Sequence, residues 1–263
     1  MADRALSFGA GAEAYERFRP GYPAALADTV TAYAGHPPRT ALEIGAGTGK
    51  ATRLFAARGT AVTATEPDPA MLAELRRRVP AEVRTVQAAF EQLSPQALRS
   101  EDGAGPPPYD LMYAAASLHW TAPDGRWPRV AALLRPGGVF ACFGGPVQLA
   151  DPAVAEAVRA ARAPFMDRDD IPSPDGTPPD HPMQWPGTEL QRSDRFADVQ
   201  QTVIQRKLTM TADDYLGHLG TISAYLMLPA AERRHALRAI AAVLPATVVL
   251  TADLHIHLAR RRP

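Results

Sequence analysis

The chain has little cysteine, little lysine and no long apolar run. Its 263 residues include one cysteine, Cys142, which excludes an internal disulfide framework and a thiolate metal cage. No uninterrupted apolar stretch reaches the roughly 18–20 residues of a membrane-spanning helix. The opening Met1-Ala2-Asp3-Arg4 leads into a polar, glycine-rich segment rather than an apolar signal core. A cytoplasmic protein with no membrane partner is therefore expected. Net charge is missing as well, because 28 basic and 28 acidic residues cancel. A protein that tracks nucleic-acid phosphates needs a basic excess, so no nucleic-acid partner is expected. Only Lys50 and Lys207 among the basic residues are lysine. With abundant alanine and proline, this reflects coding bias and says nothing of function. No internal repeat is found.

What is present suits one globular core: 46% apolar and 21% charged residues in a chain of single-domain length. Ala12–Phe18 reads as a short helix stopped by Arg19-Pro20-Gly21-Tyr22-Pro23. A second helix over Ala24–Ala34 ends at Gly35. From Thr40 the pattern changes. Ala41–Ile44 is a short strand, Thr48–Ala57 a helix, Ala61–Thr65 a strand, and Pro69–Arg78 a helix with Met71, Leu72 and Leu75 on its apolar face. Val83–Val86, Tyr109–Ala115 and Gly138–Phe143 read as further strands. Pro106-Pro107-Pro108 forms a loop, and Ile171–Gly187 is too rich in proline, aspartate and glycine for a long helix. Val199–Leu208 and Thr247–Leu258 are expected as strands, with helices over Ala212–Met227 and Pro229–Leu244 between them. Strands alternating with helices predict a doubly wound parallel α/β sheet.

The strongest local signal is Leu42-Glu43-Ile44-Gly45-Ala46-Gly47-Thr48-Gly49, where a strand ends, three glycines alternate and a helix begins. Such a turn lets a ligand approach the backbone closely. Glu66 stands at the end of the next strand, where a carboxylate can accept both hydroxyls of a nucleoside ribose. A dinucleotide fingerprint fails because Lys50 occupies its sixth position, and the P-loop pattern is absent. A nicotinamide oxidoreductase is disfavoured for the same reason.

These residues resemble the first motif of the class I S-adenosylmethionine-dependent methyltransferases. Ala64–Leu72 resembles their second motif. Tyr109–Trp120 is similar to the fourth-strand segment, and Leu134–Gly138 to the turn before the fifth strand. Phe8–Tyr15 with Arg19–Pro23 is similar to a small-molecule subgroup related to the trans-aconitate methyltransferases. The resemblance implies a Rossmann-like, doubly wound sheet of seven strands, mostly parallel with the last antiparallel, and helices on both faces. It also implies a single domain over 1–263, with an N-terminal helical cap (1–38), a cofactor-binding half (39–145), an insertion or lid (146–198) and a segment that completes the sheet and substrate pocket (199–263).

The implied cofactor is S-adenosylmethionine, with S-adenosylhomocysteine as product. Gly45, Ala46 and Gly47 would line it, Glu66 and Pro67 the ribose side, Met71 the adenine, and Ala114 and Ser117 the end of the fourth strand. Glu43 and the backbone carbonyls of the loop are candidate acceptors for the ammonium. Tyr15 and Arg19 would close over the site, Arg19 pairing with the methionyl carboxylate; helix-end packing beside Pro20 is the plainer reading. The family often places an acid after strand three to bind the adenine amino group. Here Ala89 takes that place, which leaves the backbone around Ala89 and Phe90, or Glu91, for the contact.

His119 is the candidate catalytic residue: a neutral imidazole can remove a proton from the acceptor. The alternative is a histidine that only shapes the pocket. Trp120, Tyr215 and Tyr225 are candidate pocket residues, and core packing explains them equally well; His218 and Met227 share that late helical stretch. No metal is expected: His255 and His257 share a strand face without supporting ligands, and Asp167, Asp169 and Asp170 read as a solvated run. Cys142 reads as a small core residue. The expected partner is a small-molecule acceptor for O-, N- or C-methylation, in secondary metabolism, with the protein a monomer or homodimer. The alternative is an S-adenosylmethionine-binding protein or cyclase that uses the fold without methylating.

Overall fold

The computed structural model describes residues 8–98, 108–166 and 173–263. Met1–Arg4, Pro106, Pro107 and the acidic run Asp167, Asp169 and Asp170 lie outside the described residues. The described strands are β1 (Thr40–Ile44), β2 (Ala61–Glu66), β3 (Arg84–Gln87), β4 (Tyr109–Ala115), β5 (Leu134–Gly144), β6 (Gln148–Leu149), β7 (Phe196–Ile204), β8 (Lys207–Thr211), β9 (Thr247–Thr251) and β10 (Leu254–Arg261). They form a seven-stranded sheet in the order β3-β2-β1-β4-β5-β10-β7 and a three-stranded sheet in the order β6-β9-β8. β1 pairs in parallel with β2 and β4, β2 with β3, and β4 with β5, whereas β10 runs antiparallel to β5. The large sheet thus has the parallel strands that the strand–helix alternation predicts, and its seven strands with antiparallel β10 are what the resemblance implies.

The described chain falls into two compact units. The larger comprises Gly21–Gly144, Ser173–Ile204 and His255–Pro263; the smaller takes in the described parts of Met1–Pro20, Gly145–Pro172 and Gln205–Leu254. In the larger unit, successive side chains of a strand leave the sheet on opposite faces. Ala41, Leu111, Tyr113, Val139, Ala141 and Phe143 join one apolar cluster, with Leu26 and Val30 of helix Ala24–Ala34, Phe55 of helix Lys50–Ala56 and Leu72 and Leu75 of helix Pro69–Arg78. Leu42, Ile44, Met112, Ala114, Phe140 and Cys142 join the other, with Val130 and Leu133 of helix Arg126–Leu133. Both faces are covered, so the central parallel strands are apolar along most of their length rather than alternating.

Local chemistry sets the helix starts. Asp68 caps helix Pro69–Arg78 by accepting from the N–H groups of Ala70 (2.8 Å) and Met71 (3.0 Å), and Pro69 fills the first helical position. Helix Ala24–Ala34 ends on Gly35 in the left-handed region.

Segment 173–192 is stapled within the larger unit. Asp175 accepts from the hydroxyls of Ser173, Thr177 and Thr188. Gln201 Oε1 accepts from the Gln184 N–H (2.7 Å) and bonds His257 Nε2 (2.9 Å). Glu189 meets Arg126 and Trp127 at 3.0 and 2.9 Å.

The smaller unit is built around Val158, Tyr215, Leu219, Tyr225, Ile240, Val248 and Leu250. Its sheet corrects two expectations. The strand expected over Val199–Leu208 is two strands, β7 and β8, in different sheets, and the strand expected over Thr247–Leu258 divides likewise into β9 and β10. Arg206 lies between β7 and β8, and Ala252 and Asp253 lie between β9 and β10. There the Ala252 N–H donates to Arg206 O (2.8 Å) and the Arg206 N–H donates to the Asp253 carboxylate (2.8 Å). The side-chain acceptor takes a backbone donor that a continuing ladder would have used. The helix expected over Ala212–Met227 is also interrupted. It runs Ala212–Leu219 and resumes at Ser223–Leu226, and Arg19 Nη2 donates to Thr221 O at 3.0 Å in the gap.

Candidate functional site

At the carboxyl end of β1 the chain turns through Gly45, Ala46 and Gly47 into helix Lys50–Ala56. The glycines serve different needs. Gly45, at φ +61, lies so close to Ser117 that an added Cβ would sit 2.9 Å from the Ser117 Cβ. Gly49, at φ +87, would place a Cβ 2.5 Å from Leu75 Cδ1 and 3.0 Å from Val79 Cγ1. Gly47 also has positive φ, +57, but a Cβ there meets nothing within 4 Å. The loop is therefore packed from below at Gly45 and Gly49 and open at Gly47. Ala46 ties it to β2, its N–H donating to Thr65 O at 2.9 Å.

Glu66 ends β2 and is 6% exposed. Its Oε2 accepts from the Gly47 N–H at 2.8 Å and its Oε1 from the Asp68 N–H at 2.9 Å. Each oxygen keeps a lone pair for one further donor. Burial holds the Glu66 carboxyl above the usual range, and the two backbone bonds oppose that rise.

Glu43 lies beneath the loop and is wholly enclosed. Its Oε2 accepts from Thr52 Oγ1 (2.5 Å) and Tyr113 Oη (3.0 Å), while its Oε1 has no hydrogen-bond partner. Burial pushes this carboxyl up to about 8 against the two hydroxyl bonds; Glu66 adds to the rise and Arg53 opposes it. Glu43, the acid expected at the ammonium, is thus enclosed in the protein and not open to the surface.

The other expected cofactor residues of the larger unit cluster at the same strand ends. Ala114 is buried in β4, level with Ile44 of β1. Ser117 donates to Ile44 O, and Ala116 between them holds φ +53. Met71 and Phe90 are each 4% exposed, and Pro67 is partly exposed. The Ala89 N–H donates to Gln92 Oε1 (2.9 Å), and Glu91 Oε1 accepts from the Ala122 N–H (2.7 Å). Two of the groups open for the adenine contact are therefore already bonded, and Glu91 instead joins the turn after β3 to the turn after β4.

That second turn carries His119 and Trp120, both half-buried, with rings 4.5 Å apart and tilted by 50°. It is firmly held. Thr121 Oγ1 donates to Leu118 O (2.7 Å), and Arg126, 1% exposed, donates to Thr121 Oγ1 (2.9 Å) and Thr121 O (2.8 Å).

The remaining expected residues belong to the smaller unit. Arg19 donates from Nε and Nη2 to Thr221 Oγ1 (2.9 Å) and Thr221 O (3.0 Å), and its guanidinium lies 5.3 Å from the centre of the Tyr15 ring. Tyr15 borders a recess of about 20 Å³ with Phe8, Gly11, Ala14, Gly220, Thr221 and Leu226. Tyr215 and Tyr225 are 5% and 0% exposed and part of that unit's core.

Sequence reasoning missed four contributors. Thr52 and Tyr113 hold Glu43, Asp68 braces Glu66, and Arg126 holds the His119 turn. Asp68-Pro69 was visible as a helix-cap signature, and Tyr113 falls on one face of β4 by alternation. Nothing local marks Arg126.

Residues 42–140 match a family described as a methyltransferase domain. An uncharacterized methyltransferase of Mycobacterium tuberculosis is 38% identical over 136 residues, 52% of this chain and 51% of that protein. A trans-aconitate 2-methyltransferase of Methylobacterium nodulans is 37% identical over 107 residues, 40% of this chain and 37% of that protein. The chain thus spans about half the length, or less, of the curated relatives it matches. A solved structure described as a type II methyltransferase of Anaeromyxobacter dehalogenans aligns with a TM-score of 0.60 at 26% identity, covering 94% of this chain and 99% of that one.

Proposed function

We propose, from the match of residues 42–140 to a family described as a methyltransferase domain, that the protein transfers a methyl group from S-adenosylmethionine to a small-molecule acceptor. The observation that carries this reading is Glu66. It is a carboxylate at a strand's carboxyl end, braced by the Gly47 and Asp68 N–H groups, beside a glycine with open space above it. The residues fit the cofactor. A nucleoside without phosphate needs close backbone approach, a ribose acceptor and a negative counterpart for its ammonium, and the unpartnered Glu43 Oε1 lies under the loop.

When bound, S-adenosylmethionine supplies a methyl group made electrophilic by its sulfonium. Glu66 would hold the ribose hydroxyls, and Gly45–Gly47 would let the ligand lie on the backbone. Met71, Pro67, Ala89 and Phe90 would flank the adenine, with Ala114 and Ser117 at the floor. His119 would accept the acceptor's proton at a ring nitrogen, and Trp120 would wall that side and exclude water. Most of the rate would come from holding nucleophile and methyl group in line, with proton removal added where the acceptor requires it.

The test is incubation with methyl-labelled S-adenosylmethionine and panels of hydroxyl, amine and activated-carbon acceptors. Label in a small-molecule product supports the reading, and His119→Ala should lose turnover while keeping S-adenosylhomocysteine affinity. Cofactor consumption with no methylated product would point to the cyclase-like alternative.

A further inference from the structure

Two buried carboxyls meet at the glycine loop, and they are satisfied differently. Glu66 has a backbone N–H on each oxygen, an arrangement that favours the charged form. Glu43 has two hydroxyl donors on Oε2, none on Oε1, and no exposure to solvent. A wholly enclosed carboxyl bonded only by neutral hydroxyls resists ionisation, because burial penalises the charge and no cation bonds it directly.

The neighbouring elements act in both directions: the Thr52 and Tyr113 hydroxyl bonds lower the Glu43 carboxyl, and Glu66 raises it. β2 contributes Glu66, a like charge. β4 contributes Tyr113, whose hydroxyl is held well above its ordinary range and stays a donor, with Tyr22 facing it. Helix Lys50–Ala56 contributes Thr52 and Arg53; the Arg53 Nη1 donates to Thr48 O at 3.1 Å, and its pull on Glu43 is the smallest of the influences. Burial prevails, and the carboxyl sits at about 8.

Resting on the cofactor reading above, we propose that Glu43 is a proton-exchanging residue of the cofactor site, a neutral acid in the free protein that loses its proton when the ammonium group of a ligand settles on the Gly45–Gly49 loop. Because Oε2 already accepts two bonds, the proton resides on Oε1. It leaves to solvent, and no other bond forms or breaks. A cation held in a low-dielectric site stabilises the carboxylate, and by linkage the carboxylate tightens the cation. Ligand affinity and proton release are then two readings of one event.

The experiment is isothermal titration of the whole protein with S-adenosylhomocysteine at about pH 7, in buffers of different ionisation heat. Close to one proton released per ligand is expected, with affinity rising several-fold from about pH 6.5 to about pH 7.5. Glu43→Gln should bind with no release and no pH dependence over that range. Binding without release by the unmutated protein, or release that survives in Glu43→Gln, overturns the proposal; if the variant does not fold, the unmutated protein's proton count decides alone. A folded protein that does not bind the ligand at all contradicts the cofactor reading itself, and this inference with it.

Discussion

Glu66 Oε2 accepts a hydrogen bond from the Gly47 N–H at 2.8 Å, so the candidate ribose acid and the open glycine of the loop are one structural unit. Its other oxygen is tied to Asp68, which also caps the following helix. The carboxylate is therefore fixed before any ligand arrives, and binding would not have to order it.

The glycines separate stability from binding. Gly49→Ala combines a φ of +87 with a Cβ 2.5 Å from Leu75, and should destabilise by roughly 2–4 kcal/mol from backbone strain and overpacking together. Gly47→Ala meets open space and should cost only about 1–2 kcal/mol of stability, while lowering S-adenosylhomocysteine affinity more than tenfold. Urea midpoints and calorimetry on both variants check this; equal effects on both measurements would contradict it.

Acid should weaken both units. Burial lowers His218 to about 4, helped by the Arg19 charge, and lowers His257 to about 4, helped by His255. Both folded values lie below the unfolded value of about 6.5, so the unfolded chain takes up protons first as pH falls. Stability is then full above about pH 6.5 and is lost down to about pH 4, by on the order of 3 kcal/mol for each histidine. Urea midpoints between about pH 7 and about pH 4.5 should fall steadily, and His257→Gln should flatten the larger unit's share of that slope.

Arg126 is a buried charge with Glu189 as its counter-ion at 3.0 Å and Thr121 as its anchor. Arg126→Met should cost about 3–5 kcal/mol, because it leaves Glu189 without its cation and Thr121 without two donors. Hydrogen exchange at residues 118–122 should accelerate. Unchanged protection there would show that the His119 turn does not depend on this residue.

The first half of the chain was largely legible in sequence. Helices Ala12–Phe18, Ala24–Ala34 and Pro69–Arg78 begin and end where proline and glycine punctuation places them. The glycine loop and Glu66 were visible because strand ends and glycine spacing are local signals. The late strands were not, because the point where β7 gives way to β8 and β9 to β10 is set by a contact between Arg206 and Asp253, 47 residues apart. The floor of the site was hidden for a similar reason. Tyr113 reaches Glu43 across 70 residues, and Arg126 reaches Glu189 across 63. Such pairings exist only after the sheet has formed.

The central claim is a cofactor site built on Gly45–Gly49 and Glu66, and calorimetry of S-adenosylhomocysteine with the unmutated protein and Glu66→Ala tests it most directly. The unmutated protein should bind, and the variant should bind at least about thirtyfold more weakly through loss of charge-assisted hydrogen bonds worth roughly 2 kcal/mol or more. Equal affinity in the two proteins would contradict the ribose assignment and the site drawn around it.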